Sequence, residues 1–342
     1  MSAPPPFAVS DARWLAHRYH LPTDGFLFRL TERSAHAAVP FLTDEYLGES
    51  SVPVVELDRQ ATLAQMPGGR LHFLFHSAFC NSTLLCRALD IPGVSMGLSE
   101  PVILNDMVGV RRRREVEGRK LGELTDSVLK LLARPWSANE AVIVKPSNIL
   151  NPLAAGLMTL RPDAQALLLY APLEAFLNSV ARKGLWCRLW VRELLEGLLT
   201  ENVVDFGFTP QDFFRQSDLQ VAAVGWLAQH RLFHQIASNF GPRRVLSLNS
   251  DALQRNPHAS LSAIARHFDL SIGDEKVAAI VDGPTFHRHS KSGAAFSMAQ
   301  RQAEQASTAA AHADEISKVT LWARTVAEQS DIALDLPNPV YE

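Results

Sequence analysis

A mainly parallel sheet covered by helices on both faces, an α/β fold in three layers, is predicted by three observations on this 342-residue chain. Short apolar runs recur at residues 70–75, 140–145, 164–170 and 244–248. Each is bounded by Pro, Gly or small polar residues, as buried strands are. Between the runs lie amphipathic stretches long enough for helices, and strands alternating with helices imply a parallel sheet.

The elements follow in order. The residues as far as about 67 mix proline with short amphipathic pieces, and Ser10 and Asp11 ahead of Ala-Arg-Trp-Leu-Ala suit an N-capped helix. Met66-Pro67-Gly68-Gly69 is a turn, after which residues 70–75 read as a buried strand, 76–81 as a small-residue loop and 82–90 as a helix. After Ser99-Glu100-Pro101 a helix carries the arginines 111–114, and a second follows at 125–133. Pro146 and Pro172 stop the next two strands, and a long helix starts at Leu173. The strand at 244–248 precedes a helix at 257–268, and the Ala-rich stretch 303–313 predicts an exposed C-terminal helix. The expected organisation is an N-terminal extension over residues 1–66, a core domain over 67–296 and a C-terminal helical tail over 297–342.

Composition narrows the function classes. Hydrophobic residues are 47% and charged residues 20%, a globular profile. A net charge of −3 makes no case for nucleic acid or an anionic membrane, and the 111–114 run, followed by Glu115 and Glu117, reads as a solvated helix face. Trp186, Trp190 and the arginines between and after them read as core packing with snorkelling stems. Cys80, Cys86 and Cys187 form neither a disulfide framework nor a zinc pattern, and His287 and His289 lack a carboxylate or thiol partner for a metal. The opening Met-Ser-Ala-Pro-Pro-Pro is unlike a signal peptide, and no apolar run nears the ~20 residues of a membrane span. A soluble, cytoplasmic protein with reduced thiols and no metal is expected.

The loop at 76–81 carries the functional reading. A parallel sheet places ligands where strands lead into helices. A helix starting at Ser82 turns backbone N–H groups toward the loop, and Ser82 and Thr83 add hydroxyl donors for phosphate oxygens. The loop is P-loop-like, yet Cys80-Asn81 stands where a Walker loop has Gly-Lys. The alternative is that Ser82 caps a core helix.

Residue by residue, Ala78-Phe79-Cys80-Asn81-Ser82-Thr83 resembles the 5′-phosphosulfate-binding loop of the sulfotransferase family, Pro-(Lys or Arg)-Ser-Gly-Thr-Thr. The two hydroxyl positions are kept; Phe79 stands at the cation, Cys80 at the Ser and Asn81 at the Gly. The strand ending at Tyr170-Ala171-Pro172, with Ser179 (or Asn178) on the next helix, is similar to the family's 3′-phosphate element. Its Arg position falls on Tyr170 or Ala171, and Arg182 and Lys183 lie nearby. The stretch 245–257 and the basic loop with Arg288, Lys291 and Gly293 follow in the family's order.

The resemblance implies a P-loop α/β/α fold. It implies an enzyme moving a sulfuryl group from 3′-phosphoadenosine 5′-phosphosulfate (PAPS) to a hydroxyl or amine of a small molecule or saccharide. Cys80, Asn81, Ser82 and Thr83 would hold the phosphosulfate, and Ser179, Arg182, Arg288 and Lys291 the 3′-phosphate. Transfer needs a cation at the leaving oxygens and a base at the acceptor. Lys145 in Lys145-Pro146-Ser147 resembles a strand-Lys-(Thr or Ser)-Pro element of polysaccharide sulfotransferases and is the candidate cation. His76 and Glu100 are the candidate bases. The rival readings are an atypical P-loop kinase or NTPase, and a non-catalytic nucleotide-binding module of the same fold.

Overall fold

Aromatic and branched residues near the N-terminus extend the chain rather than coil it. In the computed structural model, which describes residues 5–50, 52–64, 68–203, 205–287 and 298–341 (side chains of 287 and 298–311 excepted), Trp14–His20 is a strand, β1. It pairs antiparallel with Gly25–Leu30 (β2), which pairs with Val55–Asp58 (β3), giving a three-stranded sheet. The helix expected after Ser10 and Asp11 is therefore corrected to a strand. Asp11 accepts from the backbone N–H of Arg13 at 2.9 Å, and pairing with β2 then overrides the local helical signal.

The other strands form where the apolar runs place them. They are Leu71–His76 (β4), Ser95–Ser99 (β5), Ala141–Lys145 (β6), Ala166–Tyr170 (β7) and Val245–Asn249 (β8), in one parallel sheet of order β5-β6-β4-β7-β8. Every residue of β4, β6 and β7 is buried, the signature of strands covered on both faces. β4 and β5 both pair with β6, with Leu71 opposite Val142 and Ser99 opposite Lys145. Gly97 lets β5 pass under a helix, since a Cβ there would stand 2.7 Å from the carbonyl oxygen of Cys86.

The helices are Arg33–Ala38 (α1), Asp44–Leu47 (α2), Arg59–Leu63 (α3), Ser82–Ala88 (α4), Ile103–Arg112 (α5), Gly118–Leu132 (α6), Ala154–Leu160 (α7) and Leu173–Arg182 (α8). Leu185–Thr200 (α9), Pro210–Arg215 (α10), Asp218–Phe240 (α11), Ser250–Arg255 (α12), Pro257–His267 (α13), Asp274–Val281 (α14), Pro284–His287 (α15) and Met298–Gln329 (α16) complete the chain. The single helix expected from Leu173 is two, because Gly184 takes φ +72° and turns the chain between α8 and α9. α9 does not pack as a core helix throughout. Cys187 and Val191 are buried, whereas Leu185, Trp186 and Leu189 are exposed. The exposure expected for 303–313 falls largely on side chains outside the described residues.

The chain forms two compact units. One comprises Met1–Phe75, Thr83–Ala166 and Ala265–Lys276; the other His76–Ser82, Leu167–Ile264 and Val277–Glu342. In the first, Arg134 is buried and donates to the carbonyls of Val9, Leu131 and Trp14, tying α6 to the N-terminal segment. In the second, α11 starts on a capping box of Ser217 and Gln220, and its Trp226 donates to the carbonyl of Ala171 at 2.9 Å, just past β7. Among the described residues no helix is long and apolar enough to cross a membrane.

His36 gives the first unit an acid sensitivity. Its ring meets Trp136 edge-on at 5.1 Å, and neither ring nitrogen bonds to a described residue. Burial, reinforced by Arg33, pushes its pKa from 6.5 to about 4. The unfolded chain therefore takes a proton between pH 6.5 and about 4 that the folded chain refuses, and stability falls as pH drops through that window. His36 contributes a loss of roughly 3 kcal/mol there. Urea melts of wild type and His36→Phe at pH 7 and pH ~4.5 are expected to show similar stability at the higher pH. The variant should keep the advantage at the lower.

Candidate functional site

Strain marks the loop. Ten non-glycine residues among those described have positive φ, and three of them, Ala78 (69°), Phe79 (52°) and Asn81 (66°), sit in the turn between β4 and α4. Each such residue costs about 1–2 kcal/mol outside glycine, somewhat less for Asn. Such strain persists only where the surroundings hold it. Among the bonds that hold it are three donated by backbone N–H groups to a carbonyl or a side chain. Ser77 N–H donates to Leu169 O at 3.1 Å, Ser77 Oγ accepts from Ala171 N–H at 3.2 Å, and His76 Nδ1 accepts from Ala78 N–H at 3.1 Å. The first two tie the loop to the end of β7.

Those bonds redefine His76. Its ring is buried, and its Nδ1 lone pair is committed to the loop, which leaves the proton of a neutral ring on Nε2. A base role would cost the loop this bond. Cys80 is also buried, so its backbone rather than its thiol is what the loop offers, while Asn81 is only partly covered. Ser82 and Thr83 open α4 with both side chains nearly covered.

An aromatic cluster surrounds Phe79. The ring of Phe79 lies 5.7 Å from Phe176 and meets Trp190 edge-on at 5.5 Å. Lys183, the C-cap of α8, holds its ammonium 5.4 Å from the centre of the Phe79 ring and 6.0 Å from that of Trp186. On α8 itself, Ser179 donates to Ala175 O at 2.9 Å and Asn178 to Glu174 O at 3.0 Å. Arg182 is three residues beyond Ser179, hence on the same helix face.

In the other unit, Lys145 and Glu100 come together as one pair. The register sets Ser99 beside Lys145, and Glu100 then turns back with φ 50°. Its N–H donates to Lys145 O at 2.7 Å, and Lys145 Nζ donates to its Oε1 at 2.5 Å. Lys145 is fully buried, and its ammonium lies 5.0 Å from the centre of the Phe41 ring; the Glu100 side chain keeps 15% exposure. Of the two, the carboxylate is the end of the pair that keeps exposed surface.

Arg288 and Lys291 lie outside the described residues. Sequence reasoning missed Ser77, Phe41 and the Lys183–Phe79 contact. Ser77 had a signal, a small polar residue where a strand ends; Phe41 is distant in sequence from the lysine it covers and had none.

No family model and no curated protein matches the chain. Among solved structures, it is similar to the sulfotransferase STF9 from Mycobacterium avium (13% identity, TM-score 0.44, 73% of this chain and 79% of that one). It is also similar to the sulfotransferase domain from the curacin biosynthetic pathway (13%, TM-score 0.42, 67% and 81%). A third is the sulfotransferase STF1 from Mycobacterium tuberculosis (14%, TM-score 0.40, 64% and 72%). All three scores are low, and neither fold nor activity is assigned to this chain by them.

Two stability measurements check these geometries. Asn81→Gly is expected to match or exceed wild type, whereas Asn81→Val should lose about 1–2 kcal/mol at a left-handed position. Glu100→Gln strands a buried ammonium, a loss of about 3 kcal/mol or more. Lys145→Met leaves a carboxylate that water still reaches, so it should cost less in the same denaturant titration.

Proposed function

We propose that this chain is a sulfotransferase-like enzyme that moves a sulfuryl group from PAPS to a hydroxyl or amine of a small molecule or saccharide. The observation that carries the reading is the loop. Left-handed residues at 78, 79 and 81 between a parallel strand and two helix-opening hydroxyls make a cradle whose donors suit an anion's oxygens. Backbone around Cys80 and Asn81, with Ser82 and Thr83, would hold the 5′-phosphosulfate. Ser179 and Arg182, with Arg288 and Lys291, would hold the 3′-phosphate.

The chemistry asks little covalent work of the protein. A bond forms between acceptor oxygen or nitrogen and sulfur, the bond from sulfur to the bridging phosphate oxygen breaks, and the acceptor proton must leave. Glu100 is the better base, because its carboxylate is partly exposed while the Nδ1 of His76 is engaged. Lys145 would then neutralise charge as the proton passes to Glu100.

A thermal-shift titration with 3′-phosphoadenosine 5′-phosphate, against ATP with magnesium, tests the reading. At 100 times its dissociation constant a bound ligand adds about 2.7 kcal/mol. Stabilisation by the bisphosphate, lost in a Ser82→Ala, Thr83→Ala double variant, is the expected result. A shift with ATP and magnesium alone would replace it with a kinase or NTPase. Binding of the bisphosphate with no turnover of any acceptor would leave the non-catalytic module. Lys145→Ala is expected to lose transfer while still binding the bisphosphate; full activity in that variant would remove Lys145 from the site.

A further inference from the structure

We propose that Lys183 is the cation of this loop, delivered to the bound anion over the ring of Phe79. The inference rests on the anion-binding reading of residues 78–83 and adds to it the group that balances the anion's charge. A large aromatic residue at φ 52° is the costliest of the loop's three left-handed positions, so its presence needs a return. That return is the cluster it builds. Phe176 and Trp190 fix the Phe79 ring, and Lys183 brings its ammonium to 5.4 Å from the ring centre.

Local backbone sets the lysine there. Lys183 caps α8, and Gly184 at φ +72° turns the chain so that Trp186 on α9 flanks the same ammonium at 6.0 Å. Ring faces attract an ammonium by its charge, so the two rings hold the cation near the loop while it is shared with an anion bound there. A cation carried by the loop and a cation resting on an aromatic at that loop position are two ways to meet one electrostatic demand.

The test separates a ligand contact from a structural pin. Dissociation constants for 3′-phosphoadenosine 5′-phosphate are measured by calorimetry for wild type, Lys183→Met, Lys183→Arg and the double variant Phe79→Lys, Lys183→Met. Each is measured at ~50 and ~200 mM salt, with the ligand-free melting temperature of each protein recorded. Lys183→Met should weaken binding about tenfold and flatten its salt dependence, Lys183→Arg should stay within about threefold, and the double variant should recover most of the loss. If Lys183→Met melts lower yet binds as wild type does, the lysine only pins the ring and the proposal falls while the loop reading stands. If wild type itself does not bind the bisphosphate, both fall.

Discussion

Left-handed backbone at residues 78, 79 and 81 is the constraint on which the candidate site depends. Of the ten described non-glycine residues with positive φ, four are neither Asn nor Asp, namely Ala78, Phe79, Glu100 and Arg114. Asn and Asp visit this region cheaply, so it is these four that signal an imposed conformation. Three of them belong to the loop or to the Lys145–Glu100 pair; Arg114 merely follows α5. A fold gains nothing in stability from such residues, and two separate places in this chain keep them, the turn after β4 and the residue after β5.

How the loop is held explains what it can do. Among its fixed points are contacts of Ser77 and His76, one of them to the N–H of Ala78, the first strained residue. On the far side the chain runs into α4, and the ring of Phe79 packs on Phe176 and Trp190. An anion cradle made of N–H groups must be preorganised, because donors that reorient on binding lose the advantage of a fixed dipole. Rings are suited to that task, since Phe, Tyr and Trp supply contact area with few rotatable bonds to order.

Much of the fold was legible and much of the site was not, for the same reason. The strands β4, β6, β7 and β8 were found because branched residues bounded by Pro or Gly identify a buried strand without reference to any partner. β1 was misread because a cap-like Ser10-Asp11 pair is a local signal, and pairing with β2 is not. The break at Gly184 and the capping box at Ser217 and Gln220 were legible in principle, being local. By contrast, the joining of Lys145 to Glu100 depends on register between β5 and β6, and 45 residues separate the two in sequence. Sequence named both as catalytic candidates but had no means of making them one group.

That joining changes the chemistry each residue can offer. An isolated buried lysine would be held by desolvation against ionisation, and an isolated glutamate at the end of a strand would sit in water. As a pair they form a near-neutral unit whose exposed end is a carboxylate and whose hidden end is an ammonium under Phe41. Under the proposed transfer, a proton accepted at Glu100 would release Lys145 from its partner, so base and counter-charge would arise together. The coupling between the two comes from the 2.5 Å contact itself.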